Sequence, residues 1–472
     1  MLRFVEDGAD PNTESGEIAD NPFSILATAM DDLSRKSCEH HPGIKTDVDS
    51  GWTALMTAAS RNNVRAEKRL LMGGAKVNLK SAHGVTALMI AAANGAVDVM
   101  KLLIGHGAEI DEATNEYQLT AFVSAMTNNQ VQATKFLIDQ GANIEEQLIG
   151  YNALTLAAMC GAVDVIQLLI DRSAQIDATT EDHVTALMFA ASLNQAKAAE
   201  ILIHRKAKIE LKSDGGVTAL MIAAQMNAVD VIQLLIAHDA DVDATDDTNC
   251  TALFQAAAKN NAQTASILID AGANIEQRST FRITALMLAA SENATDVMQL
   301  LIDHGAAIGA TDEVKSTSLI YAAMENQAKA AKVLIEKGAD IEQKNDAGVT
   351  ALMAAASQNA VDIIRLLIEH GADIEAMDNN NHTALFYASE NNHAQAANVL
   401  IDHGAKIEHK NSSGLTAFTF AASKIATDVM QLLMYRGANI EAADENETIQ
   451  ATLSNMKPKT LKQLLCAQKR QK

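Results

Sequence analysis

Two kinds of apolar run alternate along most of this chain. One is short and follows a threonine, as in Thr218-Ala-Leu-Met-Ile-Ala-Ala224. The other is denser, as in Val229-Asp-Val-Ile-Gln-Leu-Leu-Ile236. The first run begins twelve times, after Thr53, Thr86, Thr120, Asn152, Thr185, Thr218, Thr251, Thr284, Thr317, Thr350, Thr383 and Thr416. The step is 33 residues except for 34 before Thr120 and 32 before Asn152, so the chain is an array of one repeated unit.

Each unit carries its own stop signals. The threonine, or Asn152, precedes the first run and can accept from the free N–H groups of a first helical turn, which predicts an N-cap. Nine residues on, the chain has Asn or Gly in eleven of the twelve units, with Ile425 as the exception. These residue types enter the left-handed conformation cheaply, so the first helix is expected to end there. The second run is apolar nearly all round, as suits a helix sandwiched between neighbours. A glycine ends it 21 residues after the threonine in nine units, whereas Ser173, Lys206 and Asp239 stand there in three successive ones. A polar tip then leads to the next threonine.

These features resemble the ankyrin repeat: Thr-Ala-Leu-Met-x-Ala-Ala, the Asn/Gly stop, the Leu-Leu-Ile helix, and Gly-Ala-[Asn/Asp]-Ile at a 33-residue period. The resemblance covers roughly residues 51–450. It implies an all-α solenoid of stacked helix-turn-helix pairs with hairpin-like loops, and the use of such stacks as scaffolds, adaptors and inhibitors. It also implies a use as effectors that intracellular bacteria deliver into host cells. Family units usually read Thr-Pro-Leu-His; here Ala219 and Ala252 replace the proline, and Met221 and Phe254 the histidine. The histidine's side-chain hydrogen bond is lost with it, so apolar packing is expected to take its place.

Three segments follow from this reading. Residues 1–52 are degenerate N-terminal capping repeats, 53–448 the array of twelve units, and 449–472 a capping helix with a basic tail. The chain enters in mid-unit at Leu2-Arg-Phe-Val-Glu-Asp-Gly8, either as a worn cap or with residues missing upstream. Leu461, Leu464 and Leu465 share a helical face that could close the last unit, followed by a run of cations that could also touch an acidic membrane surface or nucleic acid.

Composition narrows the function. Aromatic residues make up 3% of the chain, which suits thin layers of small side chains. The four cysteines, Cys38, Cys160, Cys250 and Cys466, form no close pair, and no signal-like or membrane-length apolar stretch occurs; a reducing, cytoplasmic setting is expected, the host cytosol if the chain is an effector. No phosphate-binding glycine loop, His-Glu-x-x-His or paired-cysteine motif is present. The reading is of a non-enzyme without cofactor or metal, binding a protein partner as a monomer. At a net charge of −22 the partner is expected to offer a basic surface, and free nucleic acid to be repelled.

The units alternate in two flavours. Twelve residues after the start, every second unit has an acid: Asp98, Asp164, Asp230, Asp296, Asp362 and Asp428. The units between have Arg65, Gln132, Lys197, Gln263, Lys329 and Gln395, so the true period is 66. Duplication of a two-unit block explains the period, and the helix dipole favours the acid; a charged stripe that selects a partner is the functional alternative.

Three surfaces are left for recognition. The first is a row of acids at each unit's exit: Asp111, Glu145, Asp177, Glu210, Asp243, Glu276, Glu342, Glu375, Glu408 and Glu441, with Gly309 as a gap. It is either a ladder that guides a basic partner or simply a solvated edge. The second is a groove lined by the residues before each first stop, where Met159, Cys160, Leu193 and Met226 are apolar. The third is the tips, where Leu148-Ile149-Gly-Tyr151 and Phe281-Arg282 stand out from polar neighbours. The expected contact zone is Leu148–Asp239, with Asp177, Glu210 and Asp243 guiding the approach and Phe281 and Arg282 as a second anchor. The rival reading, an acidic inhibitor of a basic nucleic-acid-handling enzyme, differs in demanding a steep salt dependence.

Overall fold

The computed structural model describes residues 51–114, 119–144 and 150–439. Cys38, Cys466, the N-terminal capping segment up to residue 50 and the basic tail lie outside them. Among the described residues there are twenty-four helices and no extended strand, ordered as twelve pairs of a seven-residue helix followed by a nine-residue one. In the repeat that starts at Thr218, for example, the pair is Ala219–Gln225 and Val229–Ala237.

The caps explain why the helices begin and end there. Thr218 has extended backbone, φ −93° and ψ 167°, and its hydroxyl accepts from the Met221 N–H at 3.4 Å. The same bond forms at ten of the twelve starts, Asn152 doing it with its side-chain carbonyl at 2.9 Å. It is missing at Thr251 and Thr383, where the third helical residue is Phe254 or Phe386. There the phenylalanine N–H turns instead to the cap's own carbonyl, at 3.1 and 2.9 Å, which tightens the first turn.

All twelve first stops take the left-handed conformation, including the β-branched Ile425 at φ 60°. A β-branched residue is a genuine outlier in that region. All twelve second stops are left-handed too, Ser173, Lys206 and Asp239 among them at φ 69°, 73° and 61°.

The chain divides into two compact units, residues 1–190 with 195–208, and residues 191–194 with 209–472. Within each, a first helix packs on its own second helix and on the first helix of the next repeat, as Ala87–Ala93 does on Ala121–Thr127 and Ala219–Gln225 on Ala252–Ala258. Close approach requires small side chains. Ala91, Ala125, Ala157, Ala223, Ala256, Ala289, Ala322 and Ala355 are completely buried between layers that Leu, Met and a few Phe fill. One pair alone could not cover its apolar side, and each draws on its neighbours.

Candidate functional site

The exit acids are tied to the fold. The Asp177 carboxylate accepts from the Lys208 backbone N–H at 2.9 Å in the first unit. In the second unit Glu210, Asp243, Glu276, Glu342, Glu375 and Glu408 accept in the same way from the N–H of residues 241, 274, 307, 373, 406 and 439, at 2.8–3.0 Å. Each partner lies 31 residues on, in the next repeat. The row is therefore a series of charge-assisted braces between layers, neither a loose solvated edge nor a surface free of structural duty. Asn78 does the same with its amide oxygen, from the Glu109 N–H at 3.2 Å. Glu145 and Glu441 lie outside the described residues.

The two-repeat period has a local cause as well. At three of the four such interfaces of the second unit the Asn that ends one first helix reaches the alternating Asp of the next repeat: Asn194 donates to Asp230 at 3.0 Å, Asn260 to Asp296 at 2.9 Å and Asn392 to Asp428 at 2.9 Å. Asn129 and Asp164 form the same contact in the first unit, at 3.4 Å. At the interfaces between, the residue after the stop reaches back to the last carbonyls of the preceding first helix. Asn261 donates to the Ala224 carbonyl at 2.9 Å and Gln327 to that of Ser291 at 3.0 Å; the His393 Nε2 lies 3.0 Å from the Ser357 carbonyl. Two kinds of interface alternate because donor and acceptor sit in different flavours of repeat. The helix dipole is at most part of why the Asp stands where it does.

Four of the six methionines of the Thr-Ala-Leu-Met turns keep a polar contact where its complete loss was expected. The N–H of Thr53, Thr86, Thr185 and Thr218 points at the sulfur of Met56, Met89, Met188 and Met221, at 3.4–3.5 Å. A thioether accepts weakly, so the contact steers the side chain more than it stabilises the turn.

The groove residues separate by depth. Met159, expected on the surface, is only 6% exposed, although Met324 at the same place in its own repeat is 45% exposed. Cys160 is half-buried, and burial pushes its thiol up to about 11. Leu193 and Met226, in successive repeats and both among the residues of the second unit, are 39% and 55% exposed. They are the pair that the structure leaves open.

The tips separate likewise. Tyr151 is half-buried and meets the edge of Phe189, with ring centroids 5.5 Å apart. Leu148 and Ile149 lie outside the described residues. Phe281 is partly exposed and Arg282 exposed. Arg282 is left-handed, at φ 60°, in a place two residues before the repeat start that Gly51, Gly84, Gly150, Gly216, Gly348 and Gly414 fill elsewhere with positive φ. The sequence reading missed this third left-handed position because its occupants vary, His183, Asn249, Lys315 and Asn381 being the others. The recurring glycine was the signal.

The recurring histidines close helix ends. The Nδ1 of His106, His304, His370 and His403 lies 2.8 Å from the carbonyl four residues back, which makes that nitrogen the protonated one. Among the described residues no group of three or more His, Cys, Asp or Glu side chains is placed to hold a metal, and no helix is long and apolar enough to cross a membrane.

Comparison with known proteins agrees with this geometry. The family model described as ankyrin repeats (3 copies) matches residues 28–114, 121–213, 187–279, 253–345, 342–411 and 378–444. The chain is 27% identical over 152 residues to the ankyrin repeat domain-containing protein SAT10 of Stachybotrys chartarum, covering 32% of this chain and 8% of that protein. It is 37% identical over 71 residues to the potassium channel AKT2/3 of Arabidopsis thaliana, covering 15% and 9% of the two chains. With the mitochondrial disaggregase of Bos taurus it shares 48% identity over 56 residues, 12% of this chain and 8% of that one. The chain thus spans less than a tenth of the length of each of these relatives.

Proposed function

The chain belongs to the ankyrin-repeat family, and from that premise we propose that it is a non-catalytic scaffold that holds a protein partner. One observation carries the reading. Leu193 and Met226, at the ends of first helices in successive repeats, expose apolar side chains that the surrounding layers leave uncovered. Aliphatic and thioether side chains left at a surface in adjacent layers mark contact sites more often than scattered single ones do.

Charge supports the type of partner. At −22 overall, the chain attracts a basic protein surface over distances comparable with the Debye length, about 8 Å at physiological salt. The exit carboxylates add to that field while bracing the layers, so in this reading their part in binding is long-range and modest. The thiols of Cys160 and Cys250 are both held near 11 by burial, which suits a structural role in a reducing compartment better than a nucleophilic one.

The test is a comparison of proteins retained from a cell extract by the full chain and by a Leu193→Ser/Met226→Ser variant with the same thermal unfolding. Loss of one or more partners from the variant is expected. Retention of the same proteins in the same amounts by both chains would remove the groove from the account.

A further inference from the structure

In the second unit the tips lie side by side, because each gives a backbone hydrogen bond to the one before it. Thr280 N–H donates to the Thr248 carbonyl at 2.9 Å, Glu313 to Phe281 at 3.2 Å, Asp346 to Val314 at 2.8 Å and Asn379 to Ala347 at 3.1 Å. Equivalent positions are therefore neighbours. Along the row of carbonyl-bearing residues the chain reads Gly215, Thr248, Phe281, Val314, Ala347, Asn380 and Ser413. Only Phe281 and Val314 are large and apolar, and they are adjacent. Val314 is 47% exposed.

The next position along each tip has positive φ. Gly216, Asn249, Gly348, Asn381 and Gly414 fill it cheaply, but beside the two apolar residues stand Arg282 and Lys315, at φ 60° and 63°. A side chain other than Gly or Asn there costs about 1–2 kcal/mol, and the Arg282 side chain makes no hydrogen bond or ion pair among the described residues to offset it. That guanidinium is exposed and has no carboxylate partner among the described residues, although acids outnumber bases throughout the chain. Lys315 pairs with Asp346 at 2.7 Å, an exposed contact of little worth.

We propose that the adjacent tips Phe281-Arg282 and Val314-Lys315 form an interaction surface for a protein segment that presents an apolar side chain next to a single carboxylate. The proposal rests on the scaffold reading and adds a chemistry to it. The apolar side chain lies against Phe281 and Val314, while the planar Arg282 fork takes the carboxylate through two parallel N–H donors. In an acidic molecule this is a local inversion of sign. A basic partner drawn in by the overall field is fixed in register by its one acid, and a partner without that acid leaves Arg282 unpaired in the interface.

Replacement of Arg282 by glycine separates binding from folding, since glycine suits the left-handed backbone better than arginine does. The probe is a random dodecapeptide display library selected on the full chain. The selected peptides are then measured against the wild type, Arg282→Gly, Phe281→Ala/Val314→Ser and Leu193→Ser/Met226→Ser. The expected result is enrichment of peptides with an Asp or Glu beside an aromatic or aliphatic residue. Their affinity should fall at least tenfold in Arg282→Gly and in the Phe281/Val314 variant, with the Arg282→Gly melting temperature unchanged or raised and binding by the Leu193/Met226 variant unaffected. Peptides that lose affinity only in the Leu193/Met226 variant would overturn the tip proposal and leave the scaffold reading standing. Failure of any peptide to enrich would overturn the tip proposal, and the scaffold reading would then rest on the cell-extract comparison alone.

Discussion

The exits and the tips of the same repeats differ in a way the sequence conceals. At the exits an acid recurs with the layer period, and from Glu210 to Glu408 each described carboxylate accepts a backbone N–H from the next repeat. At the tips the residues vary, and backbone hydrogen bonds recur from one tip to the next, so the side chains of Phe281, Arg282 and Val314 are not needed to hold them. A feature that recurs in every layer is what the layers use on one another. A departure from the pattern is where another molecule has room to act.

The strongest way to break this comparison is to strip the braces from three layers. The triple variant Glu276→Ala, Glu342→Ala, Glu375→Ala should lose about 3 kcal/mol of stability, about 1 kcal/mol for each charge-assisted bond removed, read from the urea midpoint by far-ultraviolet circular dichroism. The corresponding Gln variants keep an acceptor oxygen and should stay within about 1 kcal/mol of the wild type. If Ala and Gln triples were equally stable, the carboxylates would be solvated ornaments of the edge and the contrast with the tips would collapse.

A second departure lies in the core and sharpens the rule. Glu67 is fully buried at a place where other repeats have Met100, Met298 or Met430, and neither of its carboxylate oxygens has a hydrogen-bond partner among the described residues. Burial pushes that carboxyl up to about 7. An acid whose folded pKa lies above its unfolded value keeps its proton longer in the folded state. Its contribution is therefore complete below 4.5, declines as pH rises from there to about 7, and is gone above. Glu67→Met should abolish that slope and raise stability at pH 8 by about 1–3 kcal/mol, the desolvation penalty of an unpaired buried polar group. Urea titrations at pH 5 and pH 8 measure both effects, and a wild-type midpoint equal at the two pH values would count against it.

Much of the architecture was legible because a few backbone positions admit few residues. The Asn or Gly after eleven of the twelve first helices, and the Gly after nine of the second helices, marked those helix ends correctly, since the left-handed region disfavours most other residues. The ladder acids were visible as a row, but their partner is a backbone N–H 31 residues away, which has no side chain to announce it. The 66-residue period was visible and its cause was not, because the Asn260–Asp296 contact joins positions that belong to different repeats. Within the candidate site, Leu193 and Met226 are as open as the spacing suggested. Met159 is not, although Met324 at the equivalent place is open, so burial at that position is set by the particular neighbours and not by the repeat spacing.

Gly309 offers the most direct measurement, because it is the gap in the ladder. Its backbone is not left-handed, and an added Cβ would meet nothing within 4 Å, so a side chain fits there without strain. The variants Gly309→Glu and Gly309→Ala gain the same backbone restriction in the unfolded chain, and only the glutamate can reach the Asp340 N–H across to the next repeat. The account predicts that Gly309→Glu is more stable than Gly309→Ala by about 1 kcal/mol in urea denaturation. A glutamate no more stable than the alanine would contradict it.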